Sequence, residues 1–508
     1  MFRLTVERII SWCGAEVIAG DQQAHDRQIN KISSDSRALV AGDLFLALRG
    51  DRFDGHDFLE QAMVQNAAAL LIDDRKAWQR LQTIDAPAAK SRPVHQTLVL
   101  LVPDTLTALQ DIAAGYRMQL AGTVIAVTGS VGKTSTRQMI AACLRPFLRI
   151  HETAGNLNNE IGLPQTLLGA AEDDEAVILE MGMRGPGEIG LLSRIARPDI
   201  AIITCIGWSH IGRLGSREAI KAAKWEIVSG IRPGGLLILN ADDHMLTGAA
   251  PSVPDNCRLA MICTTDRGCQ EALALSRPAD FVLSAETITL DAGQTTFTAC
   301  CTEPGKTAVR TPVTLPFPGS HHVRNTLFGL AVARAMQLDL TRAAAGAAAC
   351  HTVGNRQRLF ELQGITIMDD SYNASPESME AALEALSILA GTEGRKLAAL
   401  GCMLELGPFA PDAHRHVGEQ VAEMGYSLLL AYGSEADDLL IGARTVDPEL
   451  PSCSCADHQE MAVRLASSLQ PGDYLLIKGS RSYAMEQVTA LLEEMLGQAG
   501  EDHHVDKG

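Results

Sequence analysis

Short runs of β-branched and aliphatic residues alternate along the chain with longer stretches whose apolar positions recur at helical spacing, the signature of repeated strand–helix units. In residues 1–100, Ile32–Arg37 and Gly42–Leu48 read as two short strands joined by a turn. The polar loop Gly50–His56 then leads into a helix over Asp57–Asn66, and the Pro- and Ala-bearing stretch Asp85–Pro93 reads as a surface loop. Residues 101–353 open with a helix around Leu106–Gln119. Buried-type strands follow at Thr123–Thr128, Ala176–Glu180, Ile200–Ile206 and Gly235–Leu239, with helices from Lys133, from Gly162 and over Ser216–Ile231, the last N-capped by Ser216. The threonine-rich alternation of 281–315 predicts antiparallel strands at the edge of this unit, and Gly319–Asn325 precedes an Ala- and Leu-rich helix. From 354 to 508 strands at Ile365–Met368, Lys396–Leu400, Ser427–Tyr432 and Tyr474–Ile477 alternate with helical stretches, and Gly497–Gly508 reads as a frayed polar tail. The expected fold is α/β in three domains, divided at 1–100, 101–353 and 354–508.

One junction carries chemistry on its face. The strand Thr123–Thr128 runs into Gly129-Ser-Val-Gly132, and Lys133-Thr134-Ser135 opens a helix. Such a corner aims unpaired backbone N–H groups and the positive end of a helix at one spot, which suits a polyphosphate. Lys133 would reach the β- and γ-phosphates and the Thr134 hydroxyl would help hold Mg²⁺. Val127 stands where the longer phosphate-loop pattern has its first glycine, so the match is to a short form, Thr-Gly-x-x-Gly-Lys-Thr. In an open parallel sheet, ligands sit beyond the carboxyl ends of the strands. Glu180 and His210 lie at or just past two such ends, so with Lys133 they converge on a Mg²⁺–ATP site. The run Thr153–Glu160, rich in Asn, serves either as capping chemistry or as a grip on a polar ligand. Asp35, Ser36, Arg37 and His56 could bind a nucleotide-sugar head group or act as turn and capping residues. Lys224 falls on or beside the apolar face of its helix, an odd place for a cation that spacing alone does not explain.

Composition narrows the class. With 46% hydrophobic and 20% charged residues the chain can fill a large core, and no apolar run is long enough for a bilayer. The first residues lack a secretory signal, so a cytoplasmic protein without membrane insertion is expected. The net charge of −18 argues against nucleic acid as a partner and requires local basic groups to draw an anionic substrate. The 12 cysteines include no Cys-x-x-Cys pair and are expected to be reduced core thiols.

In order and spacing, these segments resemble the Mur ligases of peptidoglycan synthesis over nearly the whole chain. The landmarks are Asp35-Ser-Arg37, Thr128–Thr134, Asn156–Pro164, Glu180-Met-Gly182 with Gly187-Glu-Ile189, Asp369–Pro376, Met403–Gly407 with His416-Val-Gly418, and Lys478-Gly-Ser-Arg481. The resemblance implies an N-terminal UDP-binding domain, a central phosphate-loop ATPase domain with a parallel sheet and a C-terminal Rossmann-like domain. It further implies that a carboxylate of a UDP-MurNAc-peptide attacks ATP to give an acyl phosphate, which an amine then converts to an amide. Thr134, Glu180 and His210 match positions that hold Mg²⁺, and Lys224 matches a lysine that the family carbamylates, which would turn a misplaced cation into a metal-positioning anion. By the same likeness, Gly129, Ser130, Gly132, Lys133, Thr134, Ser135, His321, Asn325, Arg356 and Asp370 would contact ATP. Asp35, Ser36, Arg37, Asn158, Asn159, Arg184, Tyr372 and Asn373 would contact the other substrates. The block Asp369–Pro376, and the lack of an Asp-Asn-Pro-Arg string, favour the member that adds D-Ala-D-Ala to the UDP-MurNAc-tripeptide over the one that adds the third residue. A monomer is expected. A regulatory ATP-binding protein is the reading from another class; it makes Glu180, His210 and Lys224 dispensable. The chain departs from the family with Val131, His322 and Ser375 where Asn is usual and with Cys402 where Asp is usual.

Overall fold

The computed structural model describes residues 4–21, 26–50, 52–83, 97–291, 293–350 and 356–501, and the stretch Asp85–Pro93 lies outside them. Three mixed, mostly parallel sheets organise the chain, one per domain. The N-terminal sheet orders its strands Glu16–Ala19, Leu98–Leu101, Ala69–Ile72, Leu44–Leu46 and Ile32–Ser33, with only the first antiparallel to its neighbour. Ile32–Ser33 and Leu44–Leu46 therefore run in parallel, and the turn expected between them is a 3₁₀ segment, Ser36–Ala38. The helix expected over Asp57–Asn66 is split into a 3₁₀ turn, Gly55–Phe58, and the helix Leu59–Val64.

The central sheet has nine strands. Ile150–Glu152, Ala176–Glu180, Thr123–Thr128, Ile200–Ile203, Leu236–Asn240, Arg258–Cys263 and Phe281–Leu290 run parallel to one another. Thr295–Thr302 and Val309–Leu315 then close the edge in antiparallel fashion, as the alternation of 281–315 predicted. Strands buried on both faces need aliphatic residues at every position, and Val124–Val127 and Ile200–Ile203 are all 5% exposed or less. The strand expected to reach Ile206 stops at Ile203, because the chain must turn there to form the cavity wall. Residues 320–325 do not precede the next helix but form its first turns, Ser320–Ala335. The helix Thr105–Arg117 lies just past the 100/101 division and packs on both Val6–Cys13 and Gly162–Gly169.

The C-terminal sheet orders Arg358–Leu362, Ile365–Asp370, Tyr474–Lys478, Lys396–Gly401, Leu428–Tyr432 and Ser452–Cys455, parallel except at the first pair. The edge strand Ser452–Cys455 is polar and short, which hid it from the hydrophobic pattern. The last helix is Glu486–Glu501, so the tail expected to fray from Gly497 stays helical further, and 502–508 lie outside the described residues. The thiol expectation also needs correction: Cys263 and Cys269 form a disulfide with a Cα–Cα distance of 5.4 Å. The strand end and the following helix Asp266–Leu273 bring the two sulfurs together, a proximity that their spacing did not announce.

Candidate active site

The sheet register assembles the site. Glu180 pairs with Val127 and Ile203 with Thr128 on the two neighbours of the strand Thr123–Thr128. The Glu180 carboxylate and the Thr204–His210 loop are thereby set on either side of the Gly129–Gly132 corner. Gly132 turns the chain at φ 80°, a left-handed conformation open to glycine without strain. The helix Lys133–Leu144 begins there with no side-chain cap, so its first N–H groups are left for a ligand. Thr204 Oγ1 donates to the Val131 carbonyl (2.6 Å) and the Gly207 N–H donates to Ser130 Oγ (2.8 Å). The loop is thus held through main-chain atoms and Ser130, and Val131 leaves its shape intact. Lys133 Nζ folds back on the Gly129 and Ser130 carbonyls at 2.8 and 3.3 Å. Burial lowers its pKa, and the Glu180 charge opposes that shift.

Glu180 is 3% exposed and accepts two hydrogen bonds, from the Thr134 hydroxyl and the Asn158 amide at 2.8 Å each, with the Arg137 guanidinium in ion-pair range at 3.7 Å. A hydroxyl and a carboxylate side by side are the oxygen donors a hard cation such as Mg²⁺ takes, so these residues fit that ion. Lys224 is 1% exposed and does not line the cavity. Burial first, and the Lys133 charge second, push its pKa well below the usual lysine value. His210, at φ 66°, turns its Nδ1 to Glu405 of the C-terminal domain; burial lowers its pKa and Glu405 opposes. The structure thus engages the residue expected to face a metal in a contact between domains.

A cavity of about 1000 Å³ joins these elements to the C-terminal domain. Ser130, Gly132, Lys133, Thr134, Ser135, Asn158, Asn159, Glu180, Arg184, His210, His321, Asn325, Arg356, Asp370, Tyr372 and Asn373 all line it. Its walls also carry Arg213, Arg217, Arg324 and Lys478, the local basic groups that an anion needs in a chain of net charge −18. Three buried atoms on these walls have no partner among the described residues: Arg217 Nε, His321 Nδ1 and Glu377 Oε2. Buried polar atoms are normally satisfied, so these mark ligand positions or strained contacts.

Asp35, Ser36 and Arg37 lie apart from the cavity. Asp35 accepts from the Arg37 backbone and pairs with its guanidinium (2.8 Å), which holds the carboxyl down at about 2, while Ser36 Oγ donates to Gln61 (2.8 Å). His56 bridges Asp54 and Asp73. The turn-and-capping reading describes what these side chains do in this structure. Asn159 likewise caps the helix at Gly162, accepting from its N–H at 2.8 Å.

Four residues with clear roles in the geometry were not among the sequence candidates. Lys478 is 2% exposed and forms an ion pair with Asp370, the residue expected at ATP, while donating to the Asn373 carbonyl at 2.9 Å. Its position at the end of a strand, in Lys-Gly-Ser-Arg, was the available signal. Gln357, Glu377 and Glu405 reach across from the C-terminal domain, and nothing local in the sequence marks a partner that distant. Gln357 Oε1 accepts from Nε2 of both His321 (3.0 Å) and His322 (3.1 Å), whose rings lie 4.0 Å apart. The Arg356 guanidinium lies 3.9 Å from the Tyr372 ring centre, a cation–π contact.

Burial drops the His322 pKa from 6.5 to about 4, with Gln357 opposing. A folded-state value below the unfolded one means the stability is fully present above pH 6.5 and lost as pH falls toward 4, because the unfolded chain takes up the proton first. The full swing is about 3 kcal/mol. His322→Asn is expected to flatten this acid-side decline in melting temperature, with the part due to the buried His321 remaining; calorimetry from pH 7 to 4 measures it, and equal slopes would contradict the assignment.

Three family models match the chain: Mur ligase family, catalytic domain over residues 28–117; Mur ligase middle domain over 127–333; and Mur ligase, glutamate ligase domain over 355–481. The UDP-N-acetylmuramoyl-tripeptide–D-alanyl-D-alanine ligase of Synechocystis sp. is 38% identical over 92% of this chain and 93% of its own. The crystal structure of MurF from Acinetobacter baumannii superposes with a TM-score of 0.82, at 28% identity, over 97% of this chain and 99% of that one. MurF ligase from Thermotoga maritima in complex with ADP gives a TM-score of 0.74 at 26% identity, over 92% and 98%.

Proposed function

The chain belongs to the Mur ligase family of ATP-dependent ligases of peptidoglycan precursor synthesis, and from that premise we propose that it joins D-Ala-D-Ala to UDP-MurNAc-tripeptide. The product is UDP-MurNAc-pentapeptide, with ADP and phosphate released, in the cytoplasm; no helix among the described residues is long and apolar enough to cross a membrane. The observation that carries this reading is a single cavity in which the phosphate loop and the C-terminal segment Asp370–Glu377 face each other. Activating a carboxyl group and presenting an amine to it require two such walls.

The Gly129–Gly132 corner and the start of the helix Lys133–Leu144 hold the phosphates by backbone N–H groups, and Lys133 moves from its loop carbonyls to the charge that develops on the transferred phosphoryl group. Thr134 and Glu180 would hold Mg²⁺, which neutralises phosphate charge when bound. The terminal carboxylate of the tripeptide takes the γ-phosphoryl group; the dipeptide amine then attacks the acyl carbon, and phosphate departs. Asn158 fixes Glu180, Asn325 accepts from Thr136 Oγ1 at 3.0 Å to fix the helix, and Arg356 and Lys478 close the cavity from the C-terminal side. Phosphate release is expected to require ATP, UDP-MurNAc-tripeptide and D-Ala-D-Ala together. Release that ignores the dipeptide, or that a single diamino acid with the UDP-dipeptide supports better, rejects the proposal.

A further inference from the structure

One carboxylate crosses from the C-terminal domain into the central one. Glu377, in the first turn of the helix Pro376–Ala390, accepts the backbone N–H of Trp208 at 2.7 Å, across 169 residues of sequence. Glycine at 207 leaves room for this seat: a Cβ there would overlap the Glu377 carboxylate, which would have to move away. The other oxygen, Oε2, is buried with no partner among the described residues, so the side chain has given up solvation on one oxygen to make this contact. The peptide segment it grips has a second attachment on the opposite side, where the Gly207 N–H donates to Ser130 Oγ (2.8 Å) and Ser209 Oγ to the Ser130 carbonyl (3.2 Å). Further along the same segment, the Gly212 N–H donates to the Glu405 carbonyl (2.9 Å), and the Trp208 ring meets Phe409 edge-on at 5.5 Å between centres. The 207–212 segment therefore touches the phosphate loop with one flank and the C-terminal domain with the other.

We propose that Glu377 is a positioning residue for the ligase reaction, which locks the 207–212 segment against the phosphate loop when the C-terminal domain closes. It acts through Trp208 and Ser130 and touches no reacting atom. When the domain swings away, the Trp208 N–H loses its acceptor and His210 loses Glu405, so phosphoryl chemistry is coupled to the arrival of the domain that helps build the amine side of the cavity. Here the inference rests on the reading of the cavity as the ATP site.

Two measurements test it. Glu377→Ala is expected to lower kcat about 10- to 100-fold, the range for losing a hydrogen bond to a charged group, with KM for ATP changed much less. Glu377→Gln keeps an acceptor for the Trp208 N–H and is expected to recover most of that loss. Gly207→Ala fills the seat and is expected to match Glu377→Ala, and the double variant to be no slower than either single one, because both remove one interaction. The second readout is independent of turnover: in the parent chain, amide hydrogen exchange at Trp208 slows when ADP is added, and in Glu377→Ala it does not. Losses that multiply in the double variant, a wild-type kcat in Glu377→Ala, or equal Trp208 protection in both chains would each overturn the proposal. Failure of the parent chain to release phosphate with its substrates counts against the ligase reading, whereas the exchange experiment still decides the role of Glu377.

Discussion

Lys133→Ala is expected to slow substrate-dependent phosphate release by about 10²–10³-fold or more, the scale for removing one preorganised charge-stabilising group. The side chain makes no ion pair among the described residues; its ammonium rests on two loop carbonyls, at 2.8 and 3.3 Å, and the Glu180 charge only partly offsets the pKa-lowering effect of burial. Truncation therefore leaves the corner itself in place, since Thr204 and Gly207 fasten it independently. The loss belongs to the transition state, where charge on the γ-phosphoryl oxygens must be met without water. Steady-state kinetics with all three substrates, with a melting curve to show that the variant is folded, measures the effect; a rate near that of the parent chain would remove Lys133 from the mechanism.

Lys224→Ala is expected to be nearly as damaging, on the order of 10²-fold, and to regain part of its rate in the presence of a short carboxylic acid such as acetate. Burial and the neighbouring Lys133 charge drive the Lys224 amine toward its neutral form, which is the nucleophile that CO₂ requires. Carbamylation would join the neutral nitrogen to the CO₂ carbon with loss of one proton, and would set an anion rather than a second cation beside Lys133. Such a modification would give a physical reason for a lysine 1% exposed on the apolar side of a helix. The check has two arms: chemical rescue of Lys224→Ala, and a carbamate carbonyl resonance from ¹³CO₂ in the parent chain that is absent in the variant. Full activity of Lys224→Ala without rescue would contradict the modification.

The parts of this protein that depend on a few neighbouring residues were legible in the sequence. β-branched runs such as Thr123–Thr128 can bury both faces only as interior strands, and glycine, lysine and threonine in one turn at the end of such a strand make a phosphate corner wherever the strand lies. Ser216 was identifiable as a cap because the bond it accepts, from Ala219, spans only three residues. Boundaries slipped where tertiary demands override local pattern: Ile203 ends its strand so that residues 204–210 can wall the cavity, and Ser320–Asn325 joins the helix that buries His322 and Asn325.

What the amino-acid order determined by itself was the run of α/β units, the phosphate corner and the identity of the charged groups at the strand ends. Only the tertiary structure decided which of those groups meet. Glu180 faces Thr134 because two strands pair in one register, and Lys478 meets Asp370 because the two are register partners on neighbouring strands of the C-terminal sheet. Glu377 finds Trp208, and His210 finds Glu405, because two domains close. Such contacts join segments 46 to well over a hundred residues apart, and a local pattern of side chains carries no record of them.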